Sequence, residues 1–300
     1  MRGAALLVVA MLAACGSPPR PVSNHAPPPK TYSRTAADVL GFLPGDADIV
    51  MALDAARLRH SALWSTIEPG ISRMAKLPCM KEIIDSIDSV AGAIHGAPND
   101  QTTITVLRGP ERSRVVACFT AYHTAGTTHV VGDLAISTSA GSSSVLGFAD
   151  DHTAVIVSGA KATPASFHAV LESGSALRGS TSFGAIFPHV DPAATMWIAI
   201  DGNGETMKKT AGGLLGSTPR YIVANAWVGD KLTLRVVLAL VSATDATNLV
   251  ATMKPQLGAA KSMLEQIDID AHDADVELDV VATPQQLLTI AGMLGGMFGP

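Results

Sequence analysis

From Phe42 onward the chain alternates short apolar runs with turn-forming residues, at intervals that predict a series of strands broken by helices. Phe42-Leu43-Pro44-Gly45-Asp46 reads as a turn and Ile49–Leu53 as an apolar run of strand length. Asp54 then opens a helix. Along it Leu58, Leu63, Trp64, Ile67, Ile71 and Met74 recur near helical spacing, with Pro69 and Gly70 expected to divide it into two pieces. A short helix is predicted over Cys79–Ile87. Strands are predicted at Ser89–His95, Thr102–Leu107, Val115–Tyr122, Thr128–Ser137, Ser144–Phe148 and Thr153–Val157, with turns at Gly96–Asp100 and Gly109–Ser113. Ala162-Thr163-Pro164 starts a helix with threonine as N-cap and proline at its first position.

The second half repeats this plan. FLPGDADIVMALD at Phe42–Asp54 aligns with FPHVDPAATMWIAID at Phe187–Asp201, each ending a strand on aspartate. A helix at Glu205–Leu215 and a strand pair at Tyr221–Val228 and Lys231–Leu240 follow in the same order as in the first half. A long helix over Thr244–Ile267, kinked at Pro255, leads to a strand at Ala274–Val281. Ala282-Thr283-Pro284 then opens a final helix, as Ala162-Thr163-Pro164 does before it. The expected fold class is α+β, with mainly antiparallel sheets and helices on one face, built from a duplicated unit. Units are expected at residues 38–175 and 187–300, joined or separate, and chance similarity among apolar strands is the alternative to duplication.

The N-terminal pattern differs in kind. Arg2 precedes an unbroken apolar run, Ala4–Ala14, which as a helix rises only about 16 Å against a hydrocarbon core of roughly 30 Å. Residues 1–14 therefore read as a cleaved signal peptide. The quartet Leu12-Ala13-Ala14-Cys15 resembles the lipobox of bacterial lipoproteins. That resemblance implies cleavage before Cys15 and a lipid anchor on its thiol, with the membrane as the first partner. It further implies the outer membrane where the source has one, because Gly16 stands where an inner-membrane lipoprotein tends to carry aspartate; otherwise the outer face of the cytoplasmic membrane is expected. Residues 15–37, rich in proline, read as a tether able to extend roughly 60 Å. The opening FLPGDADIVMALDAARLRHSALW also resembles a set of exported bacterial proteins of unknown function, a likeness that carries no catalytic residues.

Composition narrows the choice of function. A net charge of −5, with no Lys/Arg stripe, excludes nucleic acid as an expected partner. Apolar residues make up 47% of the chain, enough for a large core, but aromatics only 4%, leaving few stacking platforms for sugars or bases. Of the three cysteines, lipidation takes Cys15, leaving Cys79 and Cys118 either as a disulfide or as two buried thiols.

The candidate chemical motifs fall short of their templates. Asp268, Asp270 and His272 match the first positions of a calcium loop, but Asp273 replaces its glycine and Asp279 its bidentate glutamate. A strand with Asp273, Asp275, Glu277 and Asp279 on its wet face fits better. Asp201-Gly-Asn-Gly-Glu205 reads as a strand-to-helix turn, and His123 with His129 as flanks of a hairpin rather than a zinc pair. Gly141–Gly147 lacks the nucleophile-elbow spacing and reads as a turn. Leu287, Ile290, Leu294 and Met297 share a helical face and read as core. No metal, cofactor or catalytic residue is expected. The expected function is a non-enzymatic binding or scaffolding module at the envelope, with an envelope protein as a possible partner. A carrier of an apolar ligand and an envelope hydrolase are the alternatives.

Overall fold

The computed structural model describes residues 39–74, 78–97, 100–122, 127–139, 141–172, 176–210, 218–287 and 289. Its first part runs β1 (Ile49–Asp54), α1 (Ala55–Arg59), α2 (Trp64–Met74), α3 (Pro78–Ser86), β2 (Ser89–His95) and β3 (Thr102–Arg108). Then come α4 (Arg112–Tyr122), β4 (Thr127–Val131), β5 (Leu134–Ser139), β6 (Ser142–Asp150), β7 (Thr153–Gly159), α5 (Pro164–Glu172) and α6 (Thr181–Ile186). The second part runs β8 (Met196–Asp201), α7 (Glu205–Thr210), β9 (Tyr221–Val228), β10 (Leu232–Ala239), α8 (Ala243–Met253), α9 (Leu257–Ala260), β11 (Gln266–His272) and β12 (Asp275–Ala282).

The twelve strands among the described residues join one antiparallel sheet in the order β11-β12-β10-β9-β8-β1-β2-β3-β7-β6-β5-β4. The α+β class therefore holds, and the units expected at 38–175 and 187–300 share a single sheet. Outward from its middle, β1-β2-β3-β7-β6 on one side matches β8-β9-β10-β12-β11 on the other. The first strands of the two halves pair with each other, Ile49 opposite Ile200 and Met51 opposite Ile198. The repeated Ala-Thr-Pro sequences behave alike. The Ser166 amide donates to Thr163 Oγ1 at 3.1 Å while the Thr163 amide donates to Ser166 Oγ at 2.9 Å. Gln286 and Thr283 exchange the same two bonds, at 3.3 and 2.8 Å. Each is a reciprocal cap that satisfies otherwise orphaned helix donors.

Helices cover both faces rather than the expected one. On one face Leu43, Phe167, Phe183 and Ile186 pack over Val50, Ala52, Ala199 and Val223. On the other, Val115 and Phe119 of α4 lie over Leu146 and Ala154, while Ala246 and Val250 of α8 lie over Ile269 and Val276. Between them Leu58, Leu63 and Trp64 cover Leu53, Met196 and Ala226. The cause is visible in β1 and β8, where successive residues are apolar, so both faces of these inner strands need cover.

Other elements depart from the sequence reading for local reasons. Val115–Tyr122 is helical: its buried Val115, Cys118 and Phe119 fall at helical, not alternating, spacing. The single strand expected over Thr128–Ser137 is a hairpin that turns at Gly132, whose φ is +59°. Gly141, with φ +80°, lies in the next turn, and Ser142–Gly147 belongs to β6. The first helical break falls at His60–Leu63, and Pro69 sits inside α2. The long helix expected over Thr244–Ile267 stops at the turn around Pro255 and resumes only to Ala260. Beyond it, alternation of Ile267 and Ile269 with Asp268 and Asp270 makes a strand.

Gly147 is fixed by packing, since a Cβ there would overlap the Phe167 ring and Leu134. Gly147→Ala is expected to cost about 1 to 3 kcal/mol by overpacking. Urea unfolding checks this, and Phe167→Leu in the same chain should recover part of the loss.

Candidate binding site

The connection from β1 to β2 builds an apolar concavity. Asp54 ends β1 and caps α1, its Oδ1 accepting from the Arg57 amide at 2.8 Å. The chain then crosses the sheet as α1, α2 and α3 before returning through Ile87 to β2. Beneath these helices lies a half-open cavity of about 170 Å³. Leu53 and Val90 form its floor, Ala55, Leu58 and Trp64 its walls, and Ile71, Ile84 and Ile87 its roof and far side.

Arg59 is the one charged residue in this lining, and its guanidinium is engaged. Its Nη1 donates to the Ile84 carbonyl at 3.2 Å and also to the Ile87 carbonyl, while Nη2 lies 3.9 Å from Asp88. Those carbonyls end α3, where a cation suits the helix dipole. The Ala56 amide donates to the Asp88 carbonyl at 3.0 Å, a second tie between α1 and the start of β2. Across the outside, Lys81 Nζ lies 3.1 Å from both Glu68 and Asp85 and links α2 to α3. The hydrogen bond from Ser72, then that from Lys81, holds the Glu68 carboxyl below its ordinary value.

A covalent tie completes the roof. Cys79 of α3 is bonded to Cys118 of α4, with their Cα atoms 5.5 Å apart, so the helix over the cavity is fixed to the helix packed on β5 to β7. Gly109 permits this approach: its φ is +116°, and a Cβ there would overlap the Ser86 carbonyl at the end of α3.

Elsewhere polar groups converge for structural ends. Thr206 Oγ1 donates to buried Asp48 at 3.2 Å and accepts from Gln101 at 3.2 Å, locking the start of α7 to the residue before β1 and to the turn between β2 and β3. His189 Nε2 lies 2.7 Å from the Tyr221 hydroxyl, and its carbonyl accepts from Asn225 at 3.0 Å. Burial, with Asp275 nearby, pushes the Tyr221 hydroxyl above its usual range.

The residues singled out from sequence fall as follows. Asp275, Glu277 and Asp279 share a strand face opposite Val276, Leu278 and Val280, as alternation predicts, while Asp273 forms the turn at φ +53°. Arg235 lies 2.8 and 3.3 Å from the two oxygens of Asp279, and Lys254 lies 3.1 Å from Asp270. Among the described residues no three His, Cys, Asp or Glu side chains are placed to hold a metal ion. Asp201 ends β8 and accepts from the Asn203 amide at 2.8 Å, a strand-to-helix turn. His129 lies in β4, and Leu287 is buried against β10 and β12. Cys15, Leu12, Ala13, Ala14, His123, Ile290, Leu294 and Met297 lie outside the described residues. The cavity itself left no motif. Its helices show in the spacing of Leu58, Trp64 and Ile71, but a packing deficit between them has no sequence signature.

No known protein family and no curated protein matches the chain. Three solved structures of TP0453 share its fold. Crystal form III superposes with a TM-score of 0.57 at 12% identity, covering 86% of this chain and 99% of that one. For form IV the values are 0.55, 13%, 85% and 96%, and for form I 0.51, 12%, 86% and 97%.

Replacing Cys79 and Cys118 by alanine opens a loop of about 40 residues in the unfolded chain. This should cost about 3 to 4 kcal/mol. Urea unfolding with and without reductant measures it, and α3 amides should lose the most hydrogen-exchange protection.

Proposed function

We propose that this protein is a lipid-anchored component of the bacterial envelope that binds an apolar group without transforming it. The anchor reading rests on Leu12-Ala13-Ala14-Cys15 and on the proline-rich segment that follows. With Gly16 after the cysteine, the outer membrane is the proposed destination where the source has one. Two or more acyl chains on Cys15 would hold the chain there, since each buried methylene contributes about 0.8 kcal/mol.

The cavity beneath α1, α2 and α3 carries the binding reading. Apart from Arg59 its lining residues are apolar, and Arg59 already serves the end of α3. Such a site favours an occupant with no polar group of its own inside. Its volume, about 170 Å³, is near the roughly 150 Å³ of a dry apolar cavity that takes benzene. It is well below the 300 Å³ or more of a typical site for a drug-sized ligand. The occupant is therefore an aromatic ring or a short alkyl segment, presented by a small molecule or by a side chain of an envelope partner.

Binding is tested with fluorobenzene. Its fluorine NMR resonance should broaden on addition of the protein and sharpen again when octanoate competes. Ala55→Leu, which fills part of the cavity from α1, should weaken probe binding at least tenfold with the thermal midpoint retained; undiminished binding would refute the site. For the anchor, Cys15→Ser should move the chain from the membrane fraction to the soluble one, and unchanged retention would count against it.

A further inference from the structure

The two ends of α3 are held differently. None of its nine residues is buried, whereas α4 beside it buries Val115, Cys118 and Phe119. Its C-terminal end is fixed nonetheless. Ile87, the next residue, is buried, the Asp88 amide donates to the Arg108 carbonyl at 2.7 Å, and Arg59 donates to the carbonyls of Ile84 and Ile87. Toward the N-terminal end the ties are the Cys79–Cys118 disulfide and two ion pairs, Lys81 with Glu68 at 3.1 Å and Glu82 with Arg114 at 4.0 Å. The side chains of Lys81, Glu82 and Arg114 are 49%, 66% and 60% exposed, and exposed pairs contribute little. The disulfide is therefore the main hold on that end of the helix.

Opening the bond need not disturb the sheet. Between the two cysteines lie β2 and β3, which pair with β1, with each other and with β7 whatever the state of the bond. α4 keeps its seat on Leu146 and Ala154 through Val115 and Phe119. Cys118 is buried and Cys79 only half-buried, so a thiol from solution meets the bond on the Cys79 side.

We infer that the Cys79–Cys118 bond is a redox latch on the cavity, opened by a dithiol reductant so that the apolar occupant is released. The inference rests on the cavity being a binding site, as proposed above. With the bond intact, Ile84 closes the space opposite Leu53 and Val90. With it open, α3 pivots about Ile87 and carries Ile84 away. The occupant then loses apolar contact and meets water, so it is held less tightly. In the opening step one thiolate of the reductant attacks Cys79 Sγ, and Cys118 leaves as a thiolate that takes up a proton. The second thiol of the reductant gives up its proton, attacks the reductant sulfur of the mixed disulfide and expels Cys79, which is protonated in turn. Two electrons and two protons pass to the cysteines, and the reductant departs as a disulfide.

The test uses the full chain carrying Cys15→Ser, in which Cys79 and Cys118 are the only cysteines. Fluorobenzene binding is followed by fluorine NMR, and amide exchange by mass spectrometry, before and after reduction with dithiothreitol. Reduction should raise the Kd for fluorobenzene at least tenfold and speed exchange of the α3 amides at least tenfold, with β2 and β3 still protected. Joining the two thiols of the reduced protein through a methylene group, a bridge that dithiothreitol does not cleave, should restore tight binding with the reductant present. An unchanged Kd on reduction, failure of the bridge to restore binding, or loss of protection through β2 and β3 would each overturn the latch while leaving the site in the oxidised protein standing. Absence of binding by the oxidised protein would instead refute the site, and the latch with it.

Discussion

The antiparallel pairing of β1 with β8 is the constraint on which the rest of the structure depends. Five register pairs, from Ile49 with Ile200 to Leu53 with Met196, join the two halves into one sheet. Backbone bonds extend the junction at both ends, the Asp54 amide to the Thr195 carbonyl and the Asp201 amide to the Asp48 carbonyl. Because the two strands run in opposite directions, their outgoing connections leave from opposite ends. α1 to α3 depart beside the start of β8, and α7 departs beside the start of β1. Inner strands of a sheet covered on both faces must be apolar on both, which explains the unbroken runs Ile49–Leu53 and Met196–Ile200.

The cavity follows from that geometry. Three short helices must cross from β1 to its neighbour β2, and each is oriented by a different tie: the Asp54 cap for α1, the Glu68–Lys81 pair between α2 and α3, and the disulfide for α3. α4 and α8 seat apolar residues on the same face of the sheet, Val115 and Phe119 over Leu146 and Ala154, and Ala246 over Ile269 and Val276. The fully apolar floor of Leu53 and Val90 under a tied roof leaves space that water gains little by entering.

Much of this was legible in the sequence, and the limits have physical causes. Strand positions, the Asp54 and Thr163 caps and the correspondence of the halves could be read because turn residues and periodicity are local properties. The strand expected at Val115–Tyr122 went wrong because β-branched and aromatic residues suit strands, while tertiary packing of Val115, Cys118 and Phe119 decided for helix. Helices on both faces were foreshadowed by the double-sided apolar pattern of β1 and β8, yet which helix covers which face depends on contacts distant in sequence. At the site, Leu58, Trp64 and Ile71 were visible as a helical stripe. Arg59 was not, because its role is set by the carbonyls of Ile84 and Ile87, which any residue at those positions would present.

The fold shared with TP0453, at 12 to 13% identity, shows that this arrangement tolerates almost complete replacement of its side chains. What this chain does with the fold rests on its own residues, and most directly on whether the space beneath α1 to α3 is open to an apolar occupant. Xenon pressurisation of crystals measures this without any assumption about the natural ligand. The account predicts a xenon atom bounded by Leu58, Trp64 and Ile84. Ordered water in that space, or α2 and α3 collapsed onto Leu53 and Val90 so that no xenon enters, would contradict it.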